Sequence, residues 1–239
     1  MGKTGTVINP SLWSSWRPTA LDRDTALAIF DTLAEHYSDV WARERYSRPP
    51  FQVLITTILS AQTTDRAVDA VRDVLFSTFP GPEALAAANP SEVEEIIRTT
   101  GFYRMKARNI IRAARVLVDQ FGGEVPRTMD ELLTIPGVGR KTANIVLYHG
   151  FGTNEGVAVD THVFRLARRI GLSSGKDAGK VEQDLMALFP RERWGVLTDL
   201  LIAHGRALCT ARKPACPVCP IRNRCRYYEQ VYLPGLAGA

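Results

Sequence analysis

IPGVGRKTANIV, residues 135–146, is the stretch of this 239-residue chain that decides its fold. Ahead of it, Thr128 followed by Glu131 forms a capping box, which predicts the start of a short helix. The Pro-Gly-Val-Gly run from Pro136 breaks this helix, and the apolar stripe that follows Lys141 predicts a second helix. The stretch therefore predicts a helix, a glycine hairpin and a helix.

The predicted hairpin is suited to bind a phosphate group. Two glycines expose backbone N–H groups without a Cβ in the way, and the dipole of the following helix favours an anion at the same place. A helix–turn–helix corner inside a core would also need glycines, but it has no use for the adjacent Arg140 and Lys141. We therefore predict that Gly137, Val138, Gly139 and Arg140 contact DNA.

The charge distribution indicates the same kind of partner. Lys and Arg number 30 against 25 Asp and Glu, which gives a formal net charge of +5. Between Leu200 and Tyr228 the chain has no acidic residue, while several arginines and one lysine fall there. Such a block can be a solvated face, but together with a phosphate-binding hairpin it predicts a surface for a nucleic-acid backbone.

Hydropathy predicts a soluble protein of the cytoplasm. No stretch reaches the ~20 consecutive apolar residues of a membrane span, and the first 25 residues lack the apolar core of a secretion signal. We expect a monomer that associates with the nucleoid by binding nucleic acid.

All the cysteines lie in one short segment with the spacing Cys-x6-Cys-x2-Cys-x5-Cys, at Cys209, Cys216, Cys219 and Cys225. Two disulfides would need an oxidising compartment, for which the chain has no targeting signal. A structural zinc usually shows two Cys-x2–4-Cys pairs, and only one is present here. A four-iron cluster carries negative charge that the surrounding basic residues would offset. The spacing favours the cluster and leaves zinc as the alternative.

Apolar periodicity and turn residues predict helices through most of the chain and no convincing strand. The predicted helices span residues 22–37, 50–60, 64–79, 82–88, 91–99, 104–121, 128–134, 140–150, 160–171, 177–188 and 192–207. The chain is therefore predicted to be all-α, after an N-terminal extension at residues 1–20. TTGFYRMKARNII at residues 99–111 also echoes residues 134–146, so Gly101 to Tyr103 are a candidate second turn near DNA, with chance similarity as the alternative.

Several motifs together resemble one family. LSAQTTD (59–65), TTGFYRMKARNII, IPGVGRKTANIV, AVDTHVFR (158–165) and the four-cysteine loop occur in the order, and at nearly the spacing, of the endonuclease III family of DNA glycosylases. This family belongs to the helix-hairpin-helix superfamily, and the resemblance extends over roughly residues 22–230.

The resemblance implies a two-domain helix-hairpin-helix DNA glycosylase fold with a C-terminal iron–sulfur cluster loop. A six-helix domain would span residues 42–153, and a discontinuous cluster domain would combine residues 21–41 with 154–239. The four cysteines would hold a [4Fe-4S] cluster. The implied activity is the removal of oxidised pyrimidines from duplex DNA, followed by nicking of the strand at the abasic site.

The same resemblance assigns residues that fill the hole left by an extruded base. Gln62 would occupy the vacated stack beside Ser60, and Phe102 would wedge the opposite strand, where many family members have leucine. Extrusion is required because a base inside a duplex cannot be reached by a side chain. Taken singly, Gln62 would be interpreted as a helix surface residue and Phe102 as a core aromatic.

Lys141 and Asp160 are the predicted catalytic pair. Lys141 would attack the sugar C1′, and Asp160, nineteen residues later in AVDTHVFR, would stabilise the positive charge that develops on the sugar. From residue type alone Lys141 would be a phosphate contact, and Asp160 would be the N-cap of the following helix. The cap and the catalytic role are compatible. His162 is interpreted as a hydrogen-bonded helix residue.

Two other functions compete with this one. A monofunctional adenine glycosylase that acts on mispairs would lack the lysine and would carry a glutamate in the helix where this chain has Leu54 to Leu59. It would also append a large C-terminal domain, whereas about a dozen residues follow Cys225. A non-catalytic helix-hairpin-helix module with a structural zinc would form no covalent adduct with DNA.

Overall fold

The computed structural model describes residues 20–42 and 48–237, and within these ranges the regular structure is entirely helical. This confirms the all-α prediction. The α-helices of the described part are α1 (Arg23–His36), α2 (Ser38–Ala42), α3 (Pro50–Leu59), α4 (Asp65–Thr78), α5 (Pro82–Ala86), α6 (Pro90–Ile96), α7 (Tyr103–Phe121), α8 (Met129–Leu133), α9 (Arg140–Phe151), α10 (Thr161–Ile170), α11 (Ala178–Leu188), α12 (Trp194–Ala207) and α13 (Leu233–Ala237).

Each helix expected from the sequence is present, with ends that differ by a few residues. The sequence did not predict α2, because neither glycine nor proline separates it from α1 and it is only one turn long. It also missed the π-helical segment Tyr228–Tyr232 and the helix α13 that follows it. The predicted extension lies, except for its last residue, outside the described residues.

The chain divides into two compact units, and the central unit comprises residues 44–155. Its innermost helix, α3, is almost wholly apolar, so it is buried on most of its surface. The long helix α7 instead buries a single face, with Ile110 and Leu117 on it. Helix α9 packs on α3, and α5 packs on α7. These contacts close one continuous apolar core.

The terminal unit joins the residues up to 43 to those from 156 onward. Leu33 of α1 and Leu201 of α12 are fully buried in its core together with apolar residues of α10 and α11. Segments from both ends of the chain therefore build one core. The predicted domain boundaries, with one domain at residues 42–153, stay a prediction. None of the helices that the structure describes has the length and apolarity needed to cross a membrane.

Candidate functional site

The hairpin begins where the capped helix α8 ends. The Oγ1 atom of Thr128 accepts a hydrogen bond from the backbone N–H of Glu131, 3.3 Å away, which confirms the predicted N-cap. The Glu131 carboxylate accepts from the Thr128 hydroxyl at 2.6 Å instead of reaching back to the backbone, as the full capping box would require. Gly137 then turns the chain with φ of 85°. Because this left-handed conformation disfavours side chains, glycine is required there.

Gly139 is the N-cap of α9 and leaves the start of that helix open. Its backbone is extended, with φ of −106°, and no side chain provides a cap hydrogen bond. A Cβ built on Gly139 would meet no atom within 4 Å. The first turn of a helix leaves its N–H groups without intrahelical acceptors. The first turn of α9 also contains no acidic residue, so this end of the helix can receive an anion.

The remaining hairpin residues divide between surface and core. Arg140 and Lys141 are exposed on the first turn of α9. Val138 has only 8% of its surface exposed and packs in the core of the central unit. Its backbone N–H donates to the carbonyl of Ile135 at 3.0 Å. Val138 therefore anchors the hairpin to the core and presents no side chain to a ligand.

Gln62 and Phe102 share an uncommon backbone conformation. Among the described non-glycine residues, only these two have positive φ, at 53° for Gln62 and 57° for Phe102. Both side chains are exposed, and Phe102 has 63% of its surface accessible. Left-handed backbone at a bulky residue costs on the order of 1 kcal/mol or more. The structure thus maintains two strained residues that point large side chains into solvent.

The turns that carry Gln62 and Phe102 pack on each other. Gly101 lies so close to the first turn that a Cβ on it would be 3.3 Å from the carbonyl oxygen of Gln62. The first turn starts at Ser60, whose Oγ donates to the Thr56 carbonyl at 2.8 Å. Two segments nearly forty residues apart in sequence therefore form one exposed edge of the central unit.

Asp160 lies in the terminal unit as the N-cap of α10, which confirms its predicted structural role. Its Oδ1 accepts a hydrogen bond from the Val163 backbone N–H at 2.7 Å, and the side chain is half-buried. The cap fixes the direction of the carboxylate.

His162 is held by its neighbours. Its Nδ1 lies 3.0 Å from Nη2 of Arg165, and the guanidinium must be the donor. Burial lowers the pKa of His162. The same Arg165 donates to the carbonyls of Gly205 and Cys209, both at 3.1 Å. His162 is therefore part of the contact that α10 makes with α12 and with the segment after it, as expected of a hydrogen-bonded helix residue.

The four cysteines are free of disulfides and line one pocket of the terminal unit. In the described ranges no three His, Cys, Asp or Glu side chains converge on a single metal-ion position. Burial raises the pKa of Cys216 and of Cys225 to about 12. Thiols that ionise so poorly become thiolates when a metal replaces the proton. The donor set fits an iron–sulfur cluster.

Two buried side chains that the sequence did not single out approach these sulfurs. Arg169 is 3% exposed, and its Nη1 donates to Sγ of Cys209 at 3.5 Å and to the Thr210 carbonyl at 2.7 Å. His204 is 1% exposed, with Nε2 3.4 Å from Sγ of Cys219. The one sequence signal was an arginine among the apolar residues of α10, beside Ile170, where a solvent-exposed cation is not expected.

Comparison with known proteins gives the class to which this arrangement belongs. Residues 55–191 match the model of the HhH-GPD superfamily of base excision DNA repair proteins. Residues 209–225, which span all four cysteines, match the iron–sulfur binding domain of endonuclease III. The cysteine loop is therefore an iron–sulfur site.

Named relatives identify one family within this superfamily. Endonuclease III of Synechocystis is 51% identical over 74% of this chain and 80% of its own length. Endonuclease III of Thermotoga maritima is 37% identical over 84% of the chain and 94% of its own length. A solved trapped endonuclease III–DNA covalent intermediate covers 88% of the chain and 98% of its own, at 40% identity and a TM-score of 0.81. The chain belongs to the endonuclease III family of base excision repair glycosylases and AP lyases.

Replacement of one cysteine tests the iron–sulfur site. We expect Cys216→Ser to lose most of the bound iron and the brown colour and to lower the melting temperature, because the loop has little apolar core of its own and depends on metal ligation. The measurements are iron content, visible absorption and thermal unfolding. Val218→Ser, at an exposed position between two of the cysteines, is the matched control and should behave as the parent. Full iron content in Cys216→Ser would contradict the assignment.

Proposed function

We propose that this chain removes oxidised pyrimidines from duplex DNA through a Schiff base on Lys141 and then nicks the abasic strand by β-elimination. The observation that carries the proposal is the exposed Lys141 on the first turn of α9, directly after the hairpin. A nucleophile placed there would lie beside the phosphates that the hairpin binds. The predicted monomeric state and nucleoid-associated location in the cytoplasm stay predictions.

DNA would bind first through its backbone. The open start of α9 offers N–H groups to a phosphate, and Gly139 leaves room for the phosphate to approach. Arg140 adds a charged donor at the same end of the helix. Such contacts fix the register of the protein on the duplex without reading sequence. This suits an enzyme that has to act wherever damage occurs.

The exposed edge formed by Gln62 and Phe102 would then open the base stack. Extrusion of a nucleotide costs a few kcal/mol of unstacking and unpairing. Side chains inserted into the helix offset part of this cost by filling the vacancy. Gln62 provides hydrogen-bonding groups that suit an orphaned base, and Phe102 provides a flat apolar surface. Ser60 supports the first of these turns through its bond to α3.

The chemistry is carried by the Lys141 amine. In its neutral form the amine attacks C1′, the bond from C1′ to the base nitrogen breaks, and the base leaves with the bonding electron pair and a proton. The sugar ring then opens to a Schiff base between C1′ and the Lys141 nitrogen. This cation acidifies the C2′ proton, and loss of that proton expels the 3′ phosphate. Water finally hydrolyses the Schiff base and regenerates the lysine.

Asp160 would supply charge and accept protons in this sequence. Its carboxylate stabilises positive charge on the sugar as the base departs. The N-cap bond through Oδ1 holds the group in a fixed orientation, so the carboxylate need not be ordered during the reaction. It can also accept the proton that the Lys141 amine loses on attack.

We also propose that the iron–sulfur site holds a [4Fe-4S] cluster. Four buried or half-buried cysteines line one pocket, and four thiolates are the ligand set that a [4Fe-4S] cluster takes. Arg169, buried against Cys209, offsets the negative charge of a four-thiolate cluster. The cluster would stabilise the fold of the loop and take no part in the steps on the sugar.

Two glycine substitutions test the hairpin. We expect Gly139→Val to weaken binding to damaged and undamaged duplex alike, by on the order of tenfold, because a side chain would occupy the space of a phosphate. Its stability should change little, since its φ is allowed for any residue. Gly137→Ala should instead lower the free energy of unfolding by about 1 kcal/mol or more because of its positive φ. Unchanged affinity in Gly139→Val would rule out the phosphate site.

Lys141→Gln tests the nucleophile. This change removes the amine while keeping a polar side chain of similar length. We expect base release, strand nicking and borohydride trapping to fall by on the order of 10³-fold or more, with DNA affinity largely kept. Lys176→Gln, at an exposed lysine of the terminal unit, is the control. If Lys141→Gln nicks abasic DNA at the parental rate, the reacting amine lies elsewhere.

Asp160→Asn separates the carboxylate's charge from its cap. Because Asn caps a helix about as well as Asp, the loss of stability should stay within ~1 kcal/mol, while base release falls severely. Slow trapping on a pre-formed abasic site should persist, since Lys141 is intact. Asp177→Asn makes the same change at the N-cap of α11, where Oδ1 accepts from the Lys180 N–H at 2.9 Å. Parental base release by Asp160→Asn would disprove the role.

A further inference from the structure

Lys106 is a buried lysine for which the proposed chemistry has no use. It lies on α7 with 2% of its surface exposed. Burial lowers the pKa of its amine. Taking an ammonium group out of water is expensive unless its hydrogen bonds are satisfied. We therefore expect the buried ammonium group of Lys106 to make a specific hydrogen bond.

That contact is with the turn that carries Gln62. The Lys106 Nζ donates to Oγ1 of Thr63, and the Thr63 hydroxyl donates in turn to the carbonyl of Ala61 at 3.3 Å. This chain of hydrogen bonds spans Gln62, since its two partners are the residues on either side. It therefore restrains the backbone in which Gln62 has its positive φ of 53°.

Lys106 also holds the second turn. Its backbone N–H donates to the carbonyl of Phe102 at 3.1 Å, which is the first hydrogen bond of α7. Thr100, just before this turn, is buried and donates to the Ile97 carbonyl at 2.8 Å. Gly101 packs on the Gln62 carbonyl. One residue thus bonds with its side chain to one left-handed turn and with its backbone to the other.

The similarity between residues 99–111 and 134–146 gives Lys106 a counterpart in the second segment. A shift of 35 residues places Lys106 on Lys141 (141 − 106) and Phe102 on Gly137 (137 − 102). Phe102 and Gly137 both have positive φ, at 57° and 85°. Both segments therefore contain a left-handed residue, but α7 begins directly after it at Tyr103 whereas α9 begins three residues after it at Arg140. Lys141 is exposed, and Lys106 is buried against Thr63. The aligned lysine is thus a surface amine in residues 134–146, whereas in residues 99–111 it is buried and hydrogen-bonded to another turn.

We propose that Lys106 is a positioning residue that joins the Gln62 and Phe102 turns into one rigid wedge for opening the base stack. The proposal rests on the proposed function of these two residues. A fixed wedge meets the duplex with its backbone already ordered, so the enzyme does not have to order two exposed turns while it unstacks a base. Cleavage at a site that is already abasic needs less unstacking, so it depends less on the wedge.

The test breaks the tie from either end. Thr63→Val keeps the shape of the side chain and removes the hydroxyl, and Lys106→Met keeps the length and removes the donor. Both variants and their combination are compared with the parent on a duplex with one thymine glycol, an oxidised pyrimidine, and on a duplex with a pre-formed abasic site. A 2-aminopurine beside the lesion reports unstacking, and thermal unfolding is followed in parallel. Arg112→Met, which removes a cation from the exposed side of the same helix, is the control.

We expect each single variant to slow base release from the thymine glycol duplex by on the order of tenfold, and to slow the rise of the 2-aminopurine fluorescence by about the same factor. Nicking of the abasic duplex should change by less than about threefold. The double variant should be no worse than the more affected single one, because both changes break the same tie. Thr63→Ser, which restores the hydroxyl, should restore the rate, and this comparison decides the matter if Lys106→Met does not fold.

The proposal is overturned if the variants lose the same factor on both substrates, or if the two changes multiply in the double variant. It is also overturned if Thr63→Val behaves as the parent while Lys106→Met does not, since Lys106 would then act through its charge alone. Failure of the underlying function gives a different result. In that case the parent protein itself releases no base and forms no trapped adduct in the same assay.

Discussion

The uncapped start of α9 is the constraint on which the candidate site depends. Several other helices of the described part begin with a side-chain cap, such as Asp160 on α10 and Asp177 on α11. Glycine in place of such a capping residue costs roughly a few tenths of a kcal/mol, and α9 has Gly139 at this position. The hairpin that leads to Gly139 is held in place by the buried Val138 and by the left-handed Gly137. The stability given up at this one helix end leaves backbone donors available to a phosphate.

The wedge formed by the Gln62 and Phe102 turns also has a less stable backbone conformation than the chain could adopt. Left-handed backbone at Gln62 and Phe102 has a cost, and the central unit offsets it with packing at Gly101 and with the buried Lys106. A hydrogen bond from a buried charged group is strong because the low dielectric around it does not screen it. Rigid exposed turns are therefore maintained by an interaction that is itself shielded from solvent.

The terminal unit depends on its iron–sulfur site in a comparable way. Arg169 is buried next to thiols, and His204 lies between Tyr37 and Cys219, with 3.0 Å from its Nδ1 to the tyrosine hydroxyl. Burial lowers the pKa of His204 to about 4, so a neutral ring that accepts from Tyr37 donates from Nε2 to the sulfur. The Arg169 cation and the His204 N–H donor both stabilise negative charge on thiolate ligands. The cysteine loop, both ends of the chain and α12 are thereby linked.

The sequence by itself determined the helical fold, the hairpin and the family. These depend on local signals that do not need the tertiary structure, such as the cap at Thr128, the glycines at 137 and 139 and the clustered cysteines. The left-handed conformations of Gln62 and Phe102 could not be predicted, because nothing in a glutamine or a phenylalanine favours positive φ. Burial of Lys106 could not be predicted either, since lysine is usually exposed and the partner Thr63 is 43 residues away in the chain. Only the packing of distant segments decides which of two similar lysines becomes a surface amine and which becomes an internal tie.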